Sequence, residues 1–168
     1  MLSLILPCYN EEDNLKNFKK ELLDFILVNN IELVLVNNGS SDNTANEINN
    51  YIKINPKIKK VTINVNKGYG DGLQKGILAS SYDDIAWMHA DFQVSLQDLL
   101  TGYNIYKNNK NSNCLVRGKR KKRKITDSLF TFFMSLITSI LFLRLINDSN
   151  ATPTITSKKI FQEINNAP

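Results

Sequence analysis

Histidine and cysteine are nearly absent: one histidine, His89, and two cysteines, Cys8 and Cys114, in 168 residues. That scarcity excludes a zinc site of the ordinary His/Cys kind. Each cysteine lies in or beside an apolar run without metal-ligand spacing, so both are expected as buried free thiols in a reducing compartment. A secretory leader is lacking as well. The opening run Met1-Leu2-Ser3-Leu4-Ile5-Leu6 meets Pro7 at once and has no basic head, which predicts a cytoplasmic body. Charge of one sign is scarce outside a single place. The net charge is +5, yet from Arg117 to Lys124 seven residues in eight are basic, and without them the chain is close to neutral. Basicity this local asks for a local partner. At 42% hydrophobic and 22% charged, wholesale disorder is excluded, and the length suits one domain with its own core.

What is present is an alternation. Apolar, β-branched runs at 2–6, 31–36, 61–65, 85–88 and 115–117 read as short strands covered on both faces. Between them, Leu15, Phe18, Leu22 and Ile26 share one helical face. Ser41 or Asp42 is placed to cap a second helix that carries Ala45, Ile48 and Ile52 inward and stops before Pro56. A third helix is expected over 72–80, and a fourth over 95–106 with Leu96, Leu99, Leu100 and Tyr103 as its stripe. Strand–helix alternation predicts an α/β fold with a mostly parallel sheet, and such sheets bind ligands beyond the carboxyl ends of their strands.

Four polar, small-residue loops stand at those ends. They are Pro7-Cys8-Tyr9-Asn10-Glu11-Glu12, Asn37-Asn38-Gly39-Ser40-Ser41-Asp42-Asn43-Thr44, Asn66-Lys67-Gly68-Tyr69-Gly70-Asp71-Gly72 and His89-Ala90-Asp91-Phe92-Gln93. Gly68-x-Gly70-x-Gly72 has the wrong spacing for a dinucleotide fingerprint and reads as a flexible turn into a helix. In this order the loops resemble the family 2 glycosyltransferases of GT-A fold, a three-layer sandwich around a mostly parallel sheet. They look most like the dolichyl-phosphate mannosyltransferase and bacterial polyprenyl-phosphate glycosyltransferase branch. That family ends its first strand in Pro-x-Tyr-Asn-Glu, its second in Val-Asp-Asp-Gly-Ser-x-Asp-x-Thr and its fourth in Asp-Ala-Asp-Leu-Gln. The likeness continues through Gly118-Lys119-Arg120 and, less clearly, to Asp148 and Lys158-Lys159.

The resemblance implies a nucleotide-sugar donor site made of Pro7, Tyr9, Asn10, Glu11, Asn38, Gly39, Ser40, Asp42, Lys67, Gly68, His89 and Ala90. It implies a divalent cation, Mg²⁺ or Mn²⁺, on Asp91 with Gln93, because a leaving nucleoside diphosphate gathers negative charge that a hard cation neutralises. It makes Asp91 and Arg120 the catalytic residues, and Lys119 with Arg120 the holders of an acceptor phosphate. Two departures stand out. The family's acidic pair after the second strand is Asn37-Asn38, and the first acid of its Asp-x-Asp motif is His89. Either the cation relies on Asp91 and Gln93, or the site takes Mn²⁺, or the chain is a catalytically impaired relative that still binds nucleotide sugar.

Downstream of Gln93 there is no Glu-Asp pair and no Gln-x-x-Arg-Trp segment, the marks of relatives that transfer to hydroxyls. A phosphate acceptor needs no base, since it is already an anionic nucleophile. It needs cations and in-line geometry, which Arg suits. The expected activity is therefore metal-assisted, inverting transfer of a sugar from a UDP- or GDP-carrier to a polyprenyl or dolichyl phosphate lipid, a saccharide hydroxyl being the alternative acceptor. The stretch 129–146 is apolar but broken by Thr131, Ser135, Thr138, Ser139 and Arg144. An interfacial helix is the reading taken, with a membrane span and a core helix as alternatives. The basic run before it matches an anionic membrane surface at the cytoplasmic face. Nucleic acid is not expected as a partner, for want of aromatic residues among those charges. Residues 1–124 are read as the donor-binding domain and 125–168 as an acceptor-side helical segment, with further helices expected beyond Pro168.

Overall fold

The computed structural model describes residues 1–109, 114–118 and 151–165. The basic run from Lys119 onward, the apolar stretch 129–146, Asp148 and the proposed 124/125 boundary lie outside them. Strands β1 (Leu2–Cys8), β2 (Glu32–Asn38), β3 (Lys59–Ile63), β4 (Asp84–Trp87), β5 (Val116–Arg117) and β6 (Thr154–Ser157) form one sheet in the order β3-β2-β1-β4-β6-β5. The first four are parallel, and β6 runs antiparallel to both β4 and β5. The architecture is α/β, as the alternation predicts.

β1 is buried along its whole length because it lies between β2 and β4 with helices on both sides. On one face Leu2, Leu4, Leu6, Leu33, Leu35, Ala86 and Met88 pack with helices α1 (Glu12–Asn17), α2 (Lys19–Val28), α3 (Thr44–Ile54) and α5 (Leu96–Asn108). On the other, Ile5, Val34, Val36, Ile63 and Ile85 pack with Leu73 and Ile77 of α4 (Tyr69–Ala79), while Phe161 of α6 (Lys158–Asn165) meets Trp87 edge-on at 6.0 Å. Gly76 lets α4 approach: a Cβ there would stand 2.5 Å from Ile5 Cγ2 and 2.8 Å from Val36 Cγ2.

Several local expectations shift. The first helical stripe is two helices that meet at Phe18, whose ring leaves to stack on Phe92 at 4.6 Å. β3 lies two residues earlier than the apolar run suggests, and Val65 is 66% exposed because the chain has already left the sheet. The N-cap of α3 is Asn43 rather than Ser41 or Asp42, although Asp42 Oδ1 accepts the Thr44 N–H at 3.0 Å. α4 begins at Tyr69, so Gly70 and Gly72 belong to the helix. Ser95 caps α5, its hydroxyl accepting the Asp98 N–H at 3.0 Å. Cys8 is buried, whereas Cys114 is half-buried.

The last two strands close at one end. Arg117 stands opposite Thr154, and the Gly118 N–H donates to Pro153 O at 2.8 Å. Since β5 runs in the same direction as β4, this junction lies on the carboxyl edge of the parallel strands. Among the described residues no helix is long and apolar enough to cross a membrane.

Candidate active site

β2 lies on one side of β1 and β4 on the other, so the strand order reverses there and opens a crevice at the carboxyl edge. The loops after β1, β2, β3 and β4 gather along it. The first two are bound to each other residue by residue. The Asn10 N–H donates to Ser40 Oγ at 3.1 Å, and Asn10 Oδ1 accepts the Ser41 N–H at 2.9 Å. The Glu11 N–H donates to Thr44 Oγ1 at 2.8 Å and the Glu12 N–H to Asp42 Oδ2 at 3.3 Å. Asn10 takes a left-handed φ of 57°, which asparagine tolerates better than most residues.

Asp42 therefore ties the starts of α1 and α3 together. Burial alone would raise its carboxyl, but bonds from Thr44 and Glu12 outweigh that and hold it below the ordinary aspartate range. Tyr9 is 49% exposed and presents its ring at the rim, while Pro7 and Ala90 are buried beneath. Glu11 is half-buried and accepts from the Asn14 side chain. Burial, with Glu11 nearby, pushes the Cys8 thiol up, so it is an inert core group.

The β2 loop meets the β3 loop at backbone distance. Gly39 has φ 72°, and a Cβ there would fall 2.5 Å from Asn66 N, so glycine is required on both counts. Asn38 Nδ2 donates to Gly68 O at 3.1 Å and to Asn66 Oδ1 at 3.4 Å. Asn37 Oδ1 accepts the Ser40 N–H at 3.1 Å. Lys67, exposed, stands between the two held residues Asn66 and Gly68.

After β4, His89 and Tyr69 place their rings 4.8 Å apart. Asp91 Oδ1 accepts the Gln93 N–H at 3.1 Å, and Phe92 between them is held at φ 51°, a strained conformation for an aromatic residue that its stack on Phe18 supports. Burial, then the charge of Asp91, pushes the Tyr69 phenol up. Tyr69, Asn66 and Thr44 are the site-edge residues that sequence reasoning passed over. The signal available for Asn66 was an Asx-type turn ahead of Gly68, whose N–H it accepts at 2.7 Å. Lys119 and Arg120 lie outside the described residues, immediately after the Gly118–Pro153 junction.

The family model described as glycosyl transferase family 2 matches residues 3–163. The chain belongs to that family. A poly-beta-1,6-N-acetyl-D-glucosamine synthase of Staphylococcus epidermidis is 34% identical over 90 residues, 54% of this chain and 21% of that protein. A dolichyl-phosphate beta-glucosyltransferase of Trichomonas vaginalis is 33% identical over 104 residues, 58% of this chain and 32% of that protein. The chain thus spans a third or less of these curated relatives. The glucosyl-3-phosphoglycerate synthase of Mycobacterium tuberculosis, solved with Mn²⁺, UDP-glucose and phosphoglyceric acid, superposes with a TM-score of 0.68 at 16% identity, over 95% of this chain and 57% of that one. This family 2 chain has the GT-A fold its sequence resembles.

No cluster of three or more His, Cys, Asp or Glu among the described residues offers a metal ion a full cage. The donor set of this glycosyltransferase chain nonetheless fits a hard cation of the kind completed by substrate. Such ions commonly take one or two carboxylates and fill their remaining positions with phosphate oxygens and water. Asp91 has such a carboxylate, one oxygen of which accepts the Gln93 N–H.

Proposed function

We propose that the chain forms the donor-binding part of an enzyme that moves a sugar from a nucleoside-diphosphate carrier to a polyprenyl-phosphate lipid. The observation that carries the donor half is the gathering of four loops along the carboxyl edge at the β1/β4 crevice, with Asp91 in the β4 loop and Lys67 in the β3 loop. Tyr9, Asn10, Glu11, Asn38, Gly39, Ser40, Asp42 and Gly68, above Pro7, would shape the nucleoside pocket, with His89 and Ala90 at its β4 side. Asp91 and Gln93 would hold a divalent cation, which supplies charge neutralisation to the departing diphosphate. In the transfer, an acceptor phosphate oxygen forms a bond to the anomeric carbon as the bond from that carbon to the diphosphate breaks, and the nucleoside diphosphate leaves with the electron pair. No protein base is required, because the nucleophile arrives ionised.

The lipid-phosphate acceptor rests on two supports. One is the similarity to a dolichyl-phosphate glucosyltransferase. The other is the junction of Gly118 and Pro153 at the carboxyl edge of the sheet, which Lys119 and Arg120 directly follow in the sequence. A saccharide hydroxyl is the second reading, favoured by the similarity to a polysaccharide synthase, which covers 90 residues. Thermal shift with UDP and GDP, with Mn²⁺ or EDTA, tests the donor half. Asp91→Ala is expected to abolish the metal-dependent stabilisation, and equal stabilisation in EDTA would sink the cation's role. Transfer assays offering a short polyprenyl phosphate beside an N-acetylglucosamine oligomer decide the acceptor.

A further inference from the structure

The two amides that end β2 are already committed within the protein. Asn38 is 3% exposed and its Nδ2 hydrogens point at two acceptors on the β3–α4 loop, Gly68 O at 3.1 Å and Asn66 Oδ1 at 3.4 Å. The orientation of Asn66 is fixed independently, since its Oδ1 also accepts the Gly68 N–H at 2.7 Å. Space is closed around the same group: a Cβ on Gly72 would come within 3.0 Å of Asn38 Cγ and Nδ2. The neighbouring backbones touch as well, with Gly39 against Asn66. Two strand ends about thirty residues apart in sequence are therefore fastened by a side-chain amide and a backbone contact.

We infer that the Asn38 carboxamide is a latch that holds the β3–α4 loop, with Lys67 and Tyr69, in the shape that receives the donor diphosphate, and that a carboxylate cannot replace it. The reason is proton count. An amide brings two N–H donors to two acceptors, whereas an ionised carboxylate brings none and would face Gly68 O and Asn66 Oδ1 lone pair to lone pair. Asn66 can turn its NH₂ inward only by withdrawing its Oδ1 from the Gly68 N–H, the 2.7 Å bond that shapes the loop. In this family 2 chain, restoring an acid at the end of β2 therefore damages the pocket instead of repairing it. Asn38 is accordingly a positioning residue, and this assignment rests on the donor-site reading for its functional consequence but not for its geometry.

The test compares the full chain with its Asn38→Asp and Asn38→Ala variants, reading UDP and GDP affinity with Mn²⁺ and amide hydrogen exchange by segment. Asn38→Asp is expected to weaken binding of the preferred nucleotide at least tenfold, with Asn38→Ala weakened less. Exchange should accelerate over 64–72 while 44–54 keeps its rate, a selectivity that general destabilisation would not give. Binding by Asn38→Asp equal to or tighter than the parent overturns the inference, as does unchanged exchange over 64–72. Should Asn38→Asp fail to fold, Asn66→Ala removes one of the two acceptors and must show the same selective acceleration and weaker binding, or the latch is refuted. Should the parent chain bind neither nucleotide, the donor reading fails, and the exchange pattern alone then upholds or refutes the latch.

Discussion

Two buried polar atoms among the described residues lack a hydrogen-bond partner, Asn38 Oδ1 and the Tyr69 hydroxyl, and both border the β3–α4 loop. A buried hydroxyl without a partner costs on the order of 1–3 kcal/mol. Tyr69→Phe keeps the ring that lies against His89 and removes that penalty. It should raise the melting temperature of the ligand-free protein by a few degrees, at ~2–4 °C per kcal/mol for a domain of this size. A lowered melting temperature in a thermal scan would mean the hydroxyl is paired in solution. The residue scale is also where the sequence was least legible. The loops and their candidate side chains could be read off, since each follows an apolar run. The work Asn38 does could not, because its partners Asn66 and Gly68 become neighbours only when β2 and β3 pair.

At the scale of elements, the seat of α4 on the sheet decides how the latch loop enters the crevice, and Gly76 decides the seat. Gly76→Ala would improve helix propensity, yet its methyl would meet Ile5 and Val36 well inside van der Waals contact. Overpacking of this kind typically costs about 1–3 kcal/mol, and chemical denaturation should show a loss in that range. A gain would mean the helix shifts freely. Strands β1 to β4 were legible because they are apolar runs between turn signals. β6 was not. Thr154-Ile155-Thr156-Ser157 is short and half polar, and its place next to β4 comes from pairing on both sides, with Thr154 and Thr156 buried and hydrogen-bonded to Ala151 O and Cys114 O. The break at Phe18 was equally hidden, because its stripe position suits a continuous helix and its true partner, Phe92, lies far along the chain.

Across the whole molecule, charge is divided by position. Lys119 and Arg120 directly follow the site-edge junction in the sequence, and 121–124 come after them. Arg120→Ala should sharply lower transfer to a water-soluble polyprenyl-phosphate analogue, since that phosphate would lose a cationic holder. Exchanging Lys121, Lys122, Arg123 and Lys124 for glutamine should leave the soluble reaction nearly intact and weaken binding to vesicles with anionic lipid. Each basic residue near such a surface contributes about 1 kcal/mol, and the loss should be greatest at low salt, where screening is weakest. Equal failure of both variants on the soluble acceptor would make the run a single site.

The closed end of the β5–β6 pair has one more consequence. Gly118 and Pro153 are hydrogen-bonded across the gap, and Ala151 and Thr152 pack beside them, so the chain up to residue 118 and the chain from residue 151 meet at adjacent positions. Residues 119–150 can therefore be exchanged as a cassette between two anchors that already touch. Swapping it for a short turn would change the closure entropy by only about 2 kcal/mol, and in the favourable direction. A chain so trimmed should keep its far-ultraviolet circular dichroism and its nucleotide affinity while losing transfer to lipid. Collapse of the nucleotide site on trimming would show instead that the insert braces the crevice. If the trimmed chain holds, variants of this protein with exchanged cassettes would address different acceptors from an unaltered donor platform.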